Sequence, residues 1–145
     1  MENVALRWMK EEDIEEVKVL VRKSFHNKKD IVFSTDSFFK DRRSKGLLAV
    51  LEKEIVGFIW IDKIEDVFLE KQTFYLRNIC VKEEYQNRGI GRRMLLECAT
   101  IAKQNDIDEI TFTSSNYRIA AHALYREVGY KIKDTSVFIK NMKEK

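Results

Sequence analysis

Proline is missing altogether from the 145 residues, glycine occurs only 5 times and cysteine twice. The chain carries no repeat and no low-complexity tract, and its length points to one domain, residues 1–145, burying about two-thirds of the surface that its unfolded form would expose. Cys80 and Cys98 form no CxxC pair and no metal-ligand spacing, so no metal is expected and the reading is of buried, reduced thiols. No apolar run approaches the ~20 residues that span a bilayer. The segment Met1 to Arg7 also lacks the basic-then-apolar pattern of a secretory signal, which gives the expectation of a cytoplasmic protein with no membrane partner. The net charge is only +3. Lys and Arg interleave with Asp and Glu rather than forming a basic stripe, which argues against nucleic acid.

What is present is the make-up of a globular protein, 44% hydrophobic and 35% charged, with clear periodicities. Val4, Leu6 and Trp8 alternate as in a strand, and Glu12-Asp13 opens a helix with Ile14, Val17, Leu20 and Val21 on one face. Asp36 can cap a short helix holding Phe38 and Phe39, ended by Gly46. Leu47 to Leu51 and Ile55 to Ile61 read as a hairpin around Glu52-Lys53-Glu54, and after the charged segment Asp62 to Lys71, Thr73 to Val81 reads as a central strand. A helix from about Gly89 to Gln104 places Ile90, Met94, Leu95, Cys98, Ile101 and Ala102 on one stripe. Glu109 to Thr113 reads as a strand and Ile119 to Val128 as a helix stopped by Gly129. Tyr130 to Lys133 and Val137 to Lys140 read as two short strands. The order predicts a mixed α/β layer, one sheet covered by helices.

The chemistry concentrates where the central strand meets the next helix, in Gln86-Asn87-Arg88-Gly89-Ile90-Gly91. Main-chain N–H groups at a helix start have no intrahelical partner and sit at the positive end of the macrodipole, so the turn suits a phosphate. It is not a Walker loop, because Arg92 follows Gly91 where that loop has Lys and then Ser or Thr. Nor is it a dinucleotide fingerprint, which needs a third glycine where Met94 stands.

Gln86-x-x-Gly89-x-Gly91 after a strand resembles the coenzyme A pyrophosphate loop of the GNAT superfamily of N-acetyltransferases. A second block, Arg118-x-x-Ala121-His122-x-Leu124-Tyr125-x-x-x-Gly129-Tyr130, is similar to the downstream helix of that family. One departure is Glu83, where many members have Pro. The resemblance implies a mixed, mostly antiparallel sheet whose central strands splay to form the coenzyme cleft. It also implies transfer of an acetyl group from acetyl-CoA to a primary amine by direct attack. It assigns main-chain groups at a bulge around Ile79, Cys80 and Val81 to the pantetheine and thioester, and Gln86, Asn87, Arg88, Gly89, Ile90, Gly91 and Arg92 to the pyrophosphate. It puts the Tyr125 hydroxyl beside the thioester sulfur as the acid for the departing thiolate. Asn116, at the end of the strand Glu109 to Thr113, is placed to bond the pantetheine or to serve as a turn or helix cap.

A base for the amine is less evident. Glu65, Asp66 and Glu70 precede the central strand, His122 lies one turn before Tyr125, and Arg77 could pair with an anionic acceptor. Phe25, Phe38 and Phe39 would wall the acceptor site. The acceptor is a small-molecule or peptide amine, and the two C-terminal strands offer an edge for a homodimer. The alternative is a non-catalytic acyl-CoA-binding sensor.

Overall fold

The computed structural model describes residues 3–26, 40 and 43–143. Its elements are β1 (Ala5–Trp8), α1 (Ile14–Ser24), β2 (Ser44–Leu51), β3 (Glu54–Asp66), β4 (Lys71–Val81), α2 (Ile90–Gln104), β5 (Glu109–Thr111) and α3 (Ile119–Glu127). The five strands form one sheet in the order β1-β2-β3-β4-β5. The first three pairings are antiparallel and the last, β4 with β5, is parallel. The fold is therefore the mixed, mostly antiparallel sheet expected.

Alternation along the central strands sorts the core into two layers. Leu47, Ala49, Val56, Ile59, Ile61, Phe74 and Leu76 face the α2 stripe of Ile90, Met94, Leu95, Cys98 and Ala102. Leu48, Ile55, Phe58 and Cys80 face Val17 and Leu20 of α1 on the other side. Gly57 brings α2 close, since a Cβ there would lie 2.7 Å from Met94 Sδ and 3.2 Å from Ala49 Cβ. The entry to α1 is fixed by Asp13, which accepts the Lys10 N–H at 2.7 Å and two Arg7 guanidinium bonds at 2.7 and 2.9 Å.

The hairpin after β2 turns on two residues, Glu52 and Lys53, both at positive φ (49° and 70°), and Leu51 pairs with Glu54. Two left-handed residues match the twist of the flanking strands, which is why so short a turn serves here without glycine.

Several boundaries differ from the sequence reading. Gly46 does not end a helix but lies inside β2, opposite Trp60. The helix expected around Phe38 and Phe39 falls outside the described residues. β3 runs past Ile61 to Asp66: Asp62–Asp66 continue the ladder with Lys71–Tyr75, with Asp62 still opposite Ser44 and the following residues beyond the end of β2. β5 stops at Thr111 rather than Thr113. Tyr130–Lys133 and Val137–Lys140 form no strand. Ile132, Val137, Phe138 and Ile139 stand exposed instead, for alternating side chains make a strand only where a neighbouring ladder accepts the backbone. The two-strand edge expected for a homodimer is accordingly not formed, and the described sheet ends at β5.

Candidate functional site

β4 and β5 pair over only three positions, Thr73 with Glu109 through Tyr75 with Thr111, and then part. Beyond that point β4 bulges. Trp60 pairs with Arg77 and Phe58 with Cys80, so Asn78 and Ile79 together oppose the single residue Ile59. Asn78 takes the extra turn at φ 55°, a left-handed conformation that Asn tolerates better than most residues. The bulge thus centres on Asn78–Ile79 rather than on Ile79, Cys80 and Val81, since Cys80 and Val81 hold regular pairings with Phe58 and Gly57.

After Val81 the chain makes one 3-10 turn, Glu83–Tyr85, pinned from below. The Tyr85 hydroxyl donates to Glu54 Oε2 at 2.8 Å, and the Lys82 ammonium donates to the other oxygen of that carboxylate. These bonds tie the side chains on both sides of Glu83 to the start of β3. Gln86 Nε2 donates back to the Val81 carbonyl at 3.0 Å and closes the loop. Asn87 (φ 63°) and Gly89 (φ 80°) turn the chain into α2, whose first bond runs from the Arg93 N–H to the Gly89 carbonyl at 3.0 Å. Among the described residues, the N–H groups of Gly89 to Arg92 donate to no backbone carbonyl outside α2. They form a row of free donors at a helix start.

That row opens into a cavity of about 820 Å³ in the splay. Its lining includes Ile79, Cys80, Val81, Gln86, Asn87, Gly89, Ile90, Gly91 and Arg92 from the loop side, and Arg118, Leu124 and Tyr125 from the α3 side. The fit to a coenzyme pyrophosphate is good: the free donors and the cations Arg92 and Arg118 all border one open groove. Two of the expected residues stand apart. Arg88 is exposed with its guanidinium 5.1 Å from the Tyr85 ring centre, and Asn116 is exposed and lines no described cavity.

Tyr125 packs edge-on against Phe112, ring centres 4.8 Å apart. It lines both this cavity and a second one of about 440 Å³ on the far side of the splay. Burial pushes its phenol above the ordinary tyrosine range, while Ser114 beside it and the positive field of Arg118 pull the other way. His122 Nε2 lies 3.2 Å from Ser114 Oγ, which places the histidine behind Tyr125 rather than in the cavities.

Glu65, Asp66 and Glu70 sit at the far end of the β3–β4 ribbon, where Asp66 Oδ1 accepts the Phe68 and Leu69 N–H groups and Glu65 pairs with Lys63 at 3.7 Å. From Lys71 to Arg77 the strand climbs roughly 20 Å, so none of these acids reaches the cleft. Burial also raises the Cys80 thiol to about 11 and the Cys98 thiol to about 12. Neither is a nucleophile near neutral pH. At pH 8 a disulfide reagent is expected to titrate both thiols quickly in denaturant and neither in the native protein; a fast native thiol would contradict this placement.

Sequence reasoning passed over two features. Arg118 opens the second motif block and borders both cavities, its guanidinium 5.2 Å from the Phe25 ring centre. Its place at the head of that block was the available signal. The second is Asp62, which gathers the Ser44 hydroxyl and the Trp60 indole N–H at 2.6 Å each and Arg77 at 2.7 Å. No sequence signal reveals this cluster, because it depends on strand register.

A five-stranded sheet with a splayed, bulged β4, a donor loop at the start of α2 and a tyrosine facing it define an acetyltransferase of the GNAT type. The model of the acetyltransferase (GNAT) family matches residues 6–130, and the chain belongs to that family, whose members use acetyl-CoA. It is 24% identical over 104 residues to N-acetyltransferase 8 of Homo sapiens, covering 72% of this chain and 46% of that protein. The chain thus spans about half the length of the curated relatives it matches. Among solved structures, an aminoglycoside acetyltransferase, meta-AAC0020 from an uncultured soil metagenomic sample, superposes with a TM-score of 0.86 at 17% identity over 97% of each chain. The aminoglycoside N-acetyltransferase AAC(6')-Iy in complex with CoA does so with a TM-score of 0.84 at 13% identity over 98% of this chain and 97% of its own. Among the described residues no helix is long and apolar enough to cross a membrane.

Proposed function

We propose that this chain transfers the acetyl group of acetyl-CoA to a primary amine by direct attack, with Tyr125 serving the departing sulfur. The observation that carries this reading is that the free N–H row at Gly89 to Arg92 and the Tyr125 side chain border one continuous cavity in the splay between β4 and β5. The coenzyme supplies an activated thioester. The donor row and Arg92 would hold its pyrophosphate, and Gln86 keeps the loop closed through its bond to Val81. The exposed main chain at Asn78–Ile79 gives hydrogen-bonding groups to the pantetheine arm and to the carbonyl that develops negative charge.

Tyr125 is kept protonated by burial, with Arg118 near enough to ease the charge if the phenol gives up its proton. The new N–C bond replaces the S–C bond, the sulfur leaves with that electron pair, and the phenol donates to it. The only described acid lining either cavity is Glu127, and it is engaged by Arg92 at 3.1 Å. The proton from nitrogen therefore goes to water. This favours an α-amine, pKa about 7.7 to 8, over a lysine-like amine, whose deprotonation at neutral pH costs about 4 to 5 kcal/mol.

That no free acid lines either cavity among the described residues also favours a second reading, an acyl-CoA sensor without turnover. A thermal-shift series with acetyl-CoA, CoA, ATP and NAD tests the ligand. At 100 times its dissociation constant, acetyl-CoA should add about 2.7 kcal/mol, and ATP and NAD far less. CoA release with a panel of amines then separates enzyme from sensor, and the inert protein thiols leave the assay clean. Equal protection by ATP would remove the coenzyme reading, and saturable binding without turnover would select the sensor.

A further inference from the structure

The second cavity bears on the acceptor, and its charge is one-sided. Tyr125, Ile79, Phe25 and Arg118 line it as well as the coenzyme cavity, so the two spaces meet at the phenol. Its volume of about 440 Å³ suits a small molecule. Arg77 on β4 and Arg118 at the head of α3 stand on its two sides, with the Thr113, Ser114 and Ser115 hydroxyls beside them, and no described lining residue is acidic.

The carboxylate paired with Arg77, Asp62, is committed. One oxygen accepts Ser44 and Trp60 and the other takes Arg77 Nη2 at 2.7 Å. Asp62 therefore steers Arg77, whose guanidinium also lies 5.4 Å from the Trp60 ring centre. A guanidinium has five N–H donors in a fixed fork, so donors beyond the one on Asp62 remain for a ligand. Arg118 has no carboxylate partner among the described residues, and its stacking on Phe25 holds the group in place without neutralising it. Among the described residues, a polycationic acceptor would meet two arginines and no free acid.

Resting on the acetyltransferase reading above, we infer that the acceptor is an amine that also carries a carboxylate, of amino-acid type. Its carboxylate is held by Arg118 with Arg77, and its amine points at the junction beside Tyr125. The inference concerns specificity and leaves the donor side untouched.

Matched pairs test it: L-phenylalanine and L-aspartate against their α-amides, with sisomicin as the polycationic arm, each followed by CoA release. On amine reactivity alone the α-amide is the easier acceptor, because a free carboxylate raises the pKa of the neighbouring α-amine. A preference for the acid therefore reports recognition. The expected preference in kcat/KM is at least about tenfold for acid over amide, with sisomicin not used. Arg118→Gln should erase most of that ratio and Arg118→Lys should keep part of it; any effect of position 118 on Tyr125 cancels in the ratio. A preference for the amide or for sisomicin overturns the inference while leaving the acetyltransferase intact. If no amine turns over, calorimetry with N-acetyl-L-phenylalanine on the CoA-loaded protein decides. Binding lost in Arg118→Gln upholds the carboxylate site although transfer has failed, and absence of binding overturns it.

Discussion

Replacing Tyr125 by Phe is expected to lower kcat at least about tenfold while the dissociation constant for acetyl-CoA stays within about twofold. The substitution removes one hydroxyl and keeps the ring that packs edge-on against Phe112, so the wall between the two cavities survives. In the proposed reaction, what disappears is the donor to the departing sulfur, an interaction that gains strength only as charge develops there. The pH dependence adds a second readout. Burial raises the folded pKa of Tyr125 above the ordinary tyrosine range. The phenol is therefore protonated throughout the neutral range, and its contribution to stability, complete below the ordinary tyrosine pKa, is lost as the pH rises through the higher folded value. The alkaline loss of kcat assigned to this group should be absent in Tyr125→Phe. An unchanged kcat in the variant would take Tyr125 out of the chemistry and leave it as packing.

Ile59→Ala should destabilise the fold by about 3 to 4 kcal/mol, read as a lower urea midpoint with an unchanged slope. Ile59 is 0% exposed in the middle of β3 and belongs to the layer that faces α2. Truncation removes buried methyl groups and leaves a void that strands on both sides hold open. The effect also reaches the cleft, since Ile59 is the single residue opposite the Asn78–Ile79 bulge. A loss below about 1 kcal/mol would mean that the sheet and α2 do not pack in this way.

The parts of the fold that could be read from the sequence are those in which a buried face imposes a period. The α2 stripe, the alternation through Leu47 to Ile61 and the strand into Val81 all emerge from it. The charged end of β3 escaped because no side chain from Asp62 to Asp66 is buried although the ladder continues, so no hydrophobic signal marks them. The tail misled for the opposite reason: Ile132, Val137, Phe138 and Ile139 carry strand propensity but have no ladder to join. At the site, the glycine turn and the tyrosine helix were legible as motifs with fixed spacing. The Asp62–Arg77 pair and the place of Arg118 between the two cavities depend on which strands adjoin and where they part, information that no single segment carries.

The order of strands in space copies their order along the chain, and this sets a sequence of assembly. β2, β3 and β4 are joined by turns at Glu52–Lys53 and Val67–Glu70, so each pairing closes a short loop at little entropic cost and such hairpins form in microseconds. The parallel partnership of β4 with β5 must wait for the whole of α2 to cross over, a longer closure held by only three residue pairs. The β2–β4 meander is thus expected to form first, and both cavities, lined by β4 on one side and by residues after β5 on the other, close only once β5 has docked. Hydrogen exchange at Glu109–Thr111 should accordingly report the opening of the groove well before the meander itself unravels.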